Sequence, residues 1–136
     1  MTSQVVADEI YGAVHPAVAE ALGLDDAEVT PEATLMDQLG AESIDLLDIL
    51  FRIERATGIK IEAGDLAEYV QGGIPDEEFG DEHDVITAKG LAQLKKVMPQ
   101  LDDGALAGKL PATQVMSHFT VANLAAMVAG RAGTGR

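Results

Sequence analysis

The sequence predicts an all-α protein, a small up-down helical bundle, and three observations support this. Apolar residues recur at helical spacing in several stretches, without the alternation of a half-buried strand. Glycine and proline fall between these stretches, where they end helices. Hydrophobic residues make up 47% of the 136 residues, which is enough for the core of one domain. Aromatic residues make up only 4%, so we expect an aliphatic core.

The first predicted helix begins near Thr2 or Ser3 and runs to about Ala21. Pro16 lies in its middle and predicts a kink or two shorter pieces, because proline removes a backbone hydrogen bond and crowds the preceding turn. Gly23 is expected to end the helix. A long loop at 24–42 follows, and we expect it to bury three apolar side chains. These are Leu35, Met36 and Leu39.

The second predicted helix covers Ser43 to Thr57, because neither glycine nor proline occurs before Gly58. Gly40 gives the preceding loop the freedom to turn. Three residues of the helix form an apolar stripe that is expected to leave the charged residues outside. The stripe consists of Ile44, Leu47 and Phe51, with Leu50 beside Phe51. A serine at a helix start is usually a cap, and that is the simplest interpretation of Ser43.

The segment 64–117 is expected to add helical pieces separated by glycine and proline. These are a short helix at 65–71, a mobile acidic loop at 76–84, a helix to Met98 after the cap Thr87, and a turn at 102–109. The last predicted helix begins after the cap Thr120 and ends at Gly130. We therefore predict one domain at 1–130 and a disordered tail at 131–136.

The formal net charge of −14 argues against nucleic acid as a partner, because phosphate backbones require lysine and arginine. It suits a protein that meets basic patches on larger partners. Residues 1–86 hold 21 of the 23 acidic residues, and this part includes Ser43. Any thiol needed for function must come from a cofactor, because the chain has no cysteine. The N-terminus lacks a basic signal region and no apolar run reaches membrane-spanning length, so we expect a cytoplasmic protein that is not embedded in a membrane.

The segment Gly40-Ala41-Glu42-Ser43-Ile44 resembles the Gly-x-Asp-Ser-Leu motif of the acyl carrier protein family. The start of the last helix, Phe119 to Leu124, is similar to that family's Thr-Val-x-Asp-Leu. The resemblance covers about 2–62 and 118–130 and implies an acyl-carrier bundle with a helical insertion at about 64–117. It implies a 4′-phosphopantetheine arm on Ser43 that carries acyl groups as thioesters.

The resemblance also implies partners, which are a phosphopantetheinyl transferase and acyl-transferring enzymes of fatty-acid, lipid or polyketide biosynthesis. The resemblance implies that the chain is a carrier rather than an enzyme, and we expect the protein to be a monomer. Four acids match positions that bind basic partner surfaces in this family, and five apolar residues are candidates for an acyl pocket or simply for the core. The acids are Glu42, Asp45, Asp48 and Glu54, and the apolar residues are Leu39, Leu47, Phe51, Ile53 and Ile61.

Several alternatives remain open from the sequence. If the arm is absent, the chain is an unmodified acidic interaction module with a carrier fold. If the arm carries peptidyl or aminoacyl groups, the chain is a peptidyl or aminoacyl carrier. The insertion either covers a longer acyl chain, with apolar wall from Leu91, Leu94, Val97 and Met98, or docks one dedicated partner. A calcium loop at 76–87 fails because Asp81 and Thr87 occupy the positions that require glycine and glutamate, so we expect no metal site. The missing Gly-x-Ser-x-Gly motif and the missing alternating strands argue against a serine hydrolase.

Overall fold

The computed structural model describes the backbone of residues 2–134 and the side chains of residues 9–131. The helices are α1 (Thr2–Leu22), α2 (Ser43–Thr57), α3 (Ala63–Gln71), α4 (Asp76–Phe79), α5 (Ala88–Val97), α6 (Asp103–Leu106) and α7 (Val121–Thr134). Two 3-10 segments lie at Asp26–Glu28 and Ala112–His118. No strand occurs among residues 2–134, so the predicted all-α class is confirmed.

Helix α1 packs against both α2 and α7, and these three helices form the bundle that the sequence predicts. Its core is aliphatic, because the fully buried side chains include Val14, Val18, Ile49 and Leu124. Helix α1 is one helix with Pro16 inside it, rather than two pieces. Burial of residues on both sides of the proline offsets the hydrogen bond that proline removes.

Three residues of the apolar stripe predicted on α2 are exposed, so their expected burial was wrong, whereas Leu50 is buried. Ile44 is 71% exposed, Leu47 52% and Phe51 57%. The helix instead buries a second apolar face, made of Ile49, Leu50 and Ile53. Both faces repeat at helical spacing, so periodicity did not distinguish the one that faces the core.

The insertion forms its own small cluster of helices, in which α5 packs against α3, α4 and α6. The predicted cap of α5 is confirmed, because the Thr87 hydroxyl accepts a hydrogen bond of 3.0 Å from the Gly90 N–H. Leu94 and Met98 are fully buried and belong to the same hydrophobic cluster as the bundle core. The insertion is therefore folded onto the bundle through apolar contacts.

The acidic segment 76–84 is more ordered than the loop that was predicted. Its first residues form α4, which is anchored by the buried side chain of Phe79. An antiparallel bridge between Gly80 and Ile86 then closes the turn. Asp81 holds this turn, since its carboxylate accepts hydrogen bonds from the His83 N–H at 2.8 Å and the Val85 N–H at 3.0 Å.

The start of α7 is fixed against the loop that precedes α2. Thr34 and Thr120 form an antiparallel bridge, and the Leu35 N–H donates to the Phe119 carbonyl at 2.9 Å. The predicted cap Thr120 is confirmed, because its hydroxyl accepts from the Asn123 N–H at 3.1 Å. The helix does not end at Gly130 but continues to Thr134. Four residues assigned to a disordered tail are thus helical, and 135–136 lie outside the described residues.

Candidate functional site

Ser43 is the first residue of α2, and Glu42, with extended backbone, occupies the capping position before it. The interpretation of Ser43 as an ordinary cap is therefore wrong. The Ser43 side chain is exposed, and within the described part of the chain no hydrogen bond involves its hydroxyl. This hydroxyl is available to react with a group that approaches from solvent.

The loop before α2 holds Ser43 in place. Gly40 has a φ of +77°, a left-handed conformation that other residues adopt only with strain. The next residue, Ala41, is buried and donates its N–H to the Leu35 carbonyl at 2.9 Å. Leu35 is itself fully buried. The serine thus follows directly after a buried and hydrogen-bonded anchor.

The N-terminus of α2 offers unpaired donors beside the serine. The first helical hydrogen bond runs from the Leu46 N–H to the Glu42 carbonyl at 3.0 Å. The N–H groups of Ser43 and Ile44 have no partner within the helix, as at any helix start. Unpaired N–H groups and the dipole at a helix start favour a phosphate group there.

The four predicted partner-binding acids lie on or beside α2 but differ in their surroundings. Glu42 is exposed, and its N–H donates to the Asp45 carboxylate at 2.9 Å. Asp48 is paired with Arg52, whose Nε lies 3.1 Å from the Asp48 Oδ1. Glu54 is half-buried near the other end of the helix. The acids therefore flank the exposed apolar stripe of α2.

A groove of about 300 Å³ opens beside Ser43, between α2 and α3. Apart from Ser43 itself, every residue that lines it is apolar. These residues are Met36, Leu46, Leu47, Leu50, Ala63, Leu66, Ala67 and Met116. An apolar groove at a reactive hydroxyl suits an apolar chain attached there.

Of the five residues predicted for an acyl pocket, Leu47 lines this groove. Ile53 and Ile61 are buried in the core, Phe51 is exposed, and Leu39 is half-buried. Leu46 and Leu50 lie at helical spacing from Ser43, a signal that could have found them. The sequence held no signal for Met116, because it comes from the 3-10 segment 112–118, which was not predicted.

A second, larger groove of about 910 Å³ lies in the insertion. Phe79, Val70 and Val115 form an apolar floor, and five carboxylates lie along it. They belong to Asp76, Glu77, Asp81, Glu82 and Asp84. Hydrogen bonds from the Val85 and His83 N–H groups lower the pKa of Asp81 below its ordinary value of 3.8.

The described residues contain no group of histidine, cysteine or carboxylate side chains arranged to hold a metal ion. Among them, no helix combines the length and apolarity needed to cross a membrane. The residues around Ser43 do fit a phosphopantetheine arm. The hydroxyl is open to solvent, backbone donors stand beside it for the phosphate, and an apolar groove begins at the same residue.

Comparison with known proteins finds one matching family and several similar proteins. Residues 13–71, which include Ser43, match the family described as a phosphopantetheine attachment site. An acyl carrier protein of Thermotoga maritima is 42% identical over 59 residues, which are 43% of this chain and 73% of that protein. The acyl carrier protein AcpXL of Brucella melitensis is 41% identical over 63 residues, which are 46% of this chain and 68% of that protein.

An acyl carrier protein of Rubrobacter xylanophilus is 39% identical over 54 residues, which are 40% of this chain and 67% of that protein. No solved structure matches the chain. The matched region coincides with the part of the fold that presents Ser43, namely α2 and its flanks. The chain belongs to the acyl carrier protein family, and residues 13–71 are its phosphopantetheine attachment domain.

Proposed function

We propose that this protein carries acyl groups as thioesters on a 4′-phosphopantetheine arm attached to the Ser43 Oγ. The observation that carries this proposal is the exposed, unbonded Ser43 hydroxyl at the start of α2, where an apolar groove begins. The arm supplies the thiol that forms the thioester, and the chain has no cysteine of its own. The protein can therefore carry acyl groups as thioesters only when the arm is attached.

The protein's own residues present the Ser43 hydroxyl, orient the phosphate of the arm and shelter the acyl chain. Gly40 and the buried Ala41 fix the turn from which Ser43 projects. The N–H groups of Ser43 and Ile44 provide donors for the phosphate that the hydroxyl would bear. The groove lined by Leu46, Leu50 and their neighbours offers an acyl chain an apolar surface out of water.

Helix α2 also supports a proposal about partners. Its exposed stripe of Ile44, Leu47 and Phe51 provides an apolar centre, and Glu42, Asp45, Asp48 and Glu54 provide charges around it. Protein interfaces combine such an apolar centre with a polar rim. We propose that phosphopantetheinyl transferases and acyl-transferring enzymes with basic patches dock on this face, so that Ser43 reaches their active sites.

A carrier of acyl groups works together with the enzymes that make and use them. We propose that the protein serves enzymes of fatty-acid, lipid or polyketide biosynthesis and is not itself an enzyme. We also propose that bundle and insertion act as one domain, because their buried residues belong to one cluster. A monomeric state and a cytoplasmic location stay predictions.

The test is the intact mass of the protein after incubation with a phosphopantetheinyl transferase, coenzyme A and magnesium. We expect one arm-sized gain in mass for the unaltered protein and for Ser117→Ala, a control at a serine in the 3-10 segment 112–118. We expect no gain for Ser43→Ala. Absence of a gain with several transferases would contradict the proposal and favour an unmodified acidic interaction module.

A further inference from the structure

The groove beside Ser43 and the larger groove of the insertion share two lining residues, Ala67 and Met116. These residues therefore stand at the boundary between the two spaces. Ala67 belongs to α3, and Met116 belongs to the 3-10 segment of the insertion. The insertion thus reaches the groove in which an acyl chain attached to Ser43 would lie.

Of these two residues, Met116 is the one that can move. Ala67 has only a methyl group, fixed by its helix backbone. Methionine is unbranched and has three rotatable bonds, so it adapts its shape to what it contacts. Met116 is half-buried, and its side chain therefore has room to turn toward solvent without opening the core.

The space beyond Met116 is suited to the end of an apolar chain. Its floor is formed by Val70, Phe79 and Val115, each less than a tenth exposed. The carboxylates along this groove belong to exposed residues, so they can stay hydrated while an uncharged chain covers the floor. The four residues expected from the sequence to form an apolar wall do not line either groove.

We propose that Met116 sets the length of acyl chain that this carrier shelters. Short chains fill the groove beside Ser43, and longer chains displace Met116 to reach the larger groove of the insertion. The insertion would then serve acyl groups too long for the first groove alone. This inference rests on the proposed function, since it requires an acyl arm on Ser43.

The experiment loads Ser43 with arms of increasing acyl length by supplying the transferase with butyryl-, octanoyl-, dodecanoyl- or hexadecanoyl-coenzyme A. For each product, Tm is compared with that of the same variant bearing no arm, so that the variant's own stability cancels. The variants are Met116→Ala, Met116→Phe and the control Met127→Ala. Met127 is a buried methionine that lines neither groove.

We expect the gain in Tm to increase with chain length in the unaltered protein, with a smaller step once the chain must displace Met116. In Met116→Ala the increase should continue to hexadecanoyl and exceed the unaltered protein's gain by about 4 °C. In Met116→Phe the gain in Tm should stop increasing at a shorter chain length than in the unaltered protein. Met127→Ala should follow the unaltered profile.

A second measurement needs no destabilising change. In protein with ¹³C-labelled methionine methyl groups, the Met116 signal, assigned with Met116→Leu, should shift with dodecanoyl and hexadecanoyl arms but hardly with butyryl. The inference would be overturned if the gain in Tm depended on chain length in the same way in all variants. It would also be overturned if the Met116 methyl signal did not change with chain length. Failure of Ser43 to accept any arm would be seen earlier, in the mass, and would refute the proposed function itself.

Discussion

Gln100 and Asn123 join the insertion to the last bundle helix through two reciprocal hydrogen bonds. The Gln100 Nε2 donates to the Asn123 Oδ1 at 2.8 Å, and the Asn123 Nδ2 donates to the Gln100 Oε1 at 3.2 Å. The orientation of the Asn123 amide is set by the Thr120 N–H, which donates to the same Oδ1 at 3.0 Å. An acidic residue, common at this position in the family, could accept these bonds but could not donate to Gln100.

Asn123→Ala is expected to lower the free energy of unfolding by about 1–2 kcal/mol, because it removes the pair and leaves the Thr120 N–H without its acceptor. Gln100→Ala removes the pair and also the hydrogen bond of 3.0 Å from the Gln100 Nε2 to the His118 carbonyl, but it keeps the Thr120 contact, and it should cost about 1 kcal/mol. Urea denaturation of both variants and of the double variant measures these values. If the costs of the two single variants add up to the cost of the double variant, the Gln100–Asn123 pair contributes nothing and this account is wrong.

Gly90 lies in the first turn of α5, where an added Cβ would come within 2.4 Å of the Phe79 backbone carbonyl. A backbone atom cannot turn aside as a side chain can, so Gly90→Ala is expected to destabilise the protein by about 2 kcal/mol or more. Gly64→Ala is the matched control, because Gly64 lies in the first turn of α3 and an added Cβ there would meet no atom within 4 Å.

The control should be neutral or stabilising by up to about 1 kcal/mol, since alanine restricts the unfolded chain more than glycine does. Thermal denaturation followed by circular dichroism measures both variants. Equal Tm values for Gly90→Ala and the unaltered protein would show that α4 and α5 are not in close contact.

Arg52 lies between two acids, with its Nη1 3.2 Å from the Glu20 Oε1 and its Nε 3.1 Å from the Asp48 Oδ1. Arg52→Gln should release both carboxylates and strengthen the negative field of α2. We expect association with a basic transferase to become about two- to threefold faster at low salt, and the difference to vanish at high salt. Stability should fall by less than about 1 kcal/mol, because the pairs are exposed.

Lys60→Gln is the control for this prediction, because it changes the net charge equally at an ion pair with Glu62 beyond the end of α2. Stopped-flow association rates over a range of salt concentrations distinguish the two variants. An equal acceleration by both would mean that net charge alone acts and that α2 is not the docking face.

The turn at Asp81 should weaken in acid. Hydrogen bonds from the Val85 and His83 N–H groups hold the pKa of Asp81 below 3.8 in the folded protein. The stabilisation of this turn is therefore fully present above about pH 4 and is lost as the pH falls through the lowered pKa. NMR shifts of the two amide protons should titrate together below pH 3.8, and Asp81→Asn should abolish this titration.

The helix boundaries that follow from local chemistry were predictable. Helix α2 covers Ser43–Thr57 as predicted, because Gly58 adopts a left-handed conformation that ends it. The caps Thr87 and Thr120 act through their own hydroxyl groups. These helix signals depend only on residues close together in the sequence, so the sequence alone is enough to identify them.

Features that depend on packing were not predictable. The buried face of α2 is chosen by its contact with α1, whereas its sequence offers two apolar faces. The helix α7 passes through Gly130, since one glycine weakens a helix without ending it. Met116 reaches the groove beside Ser43 only because the 3-10 segment 112–118 lies against the space between α2 and α3.

The bridge between Thr34 and Thr120 means that α7 finds its register from the loop before Ser43, regardless of how much chain lies between. Loop-closure entropy grows only logarithmically, so each doubling of the intervening chain costs just about 0.6 kcal/mol. An ancestral bundle could therefore acquire or lengthen such a segment with little thermodynamic penalty. Selection would then have been free to act on the new segment while the presentation of the serine stayed unchanged.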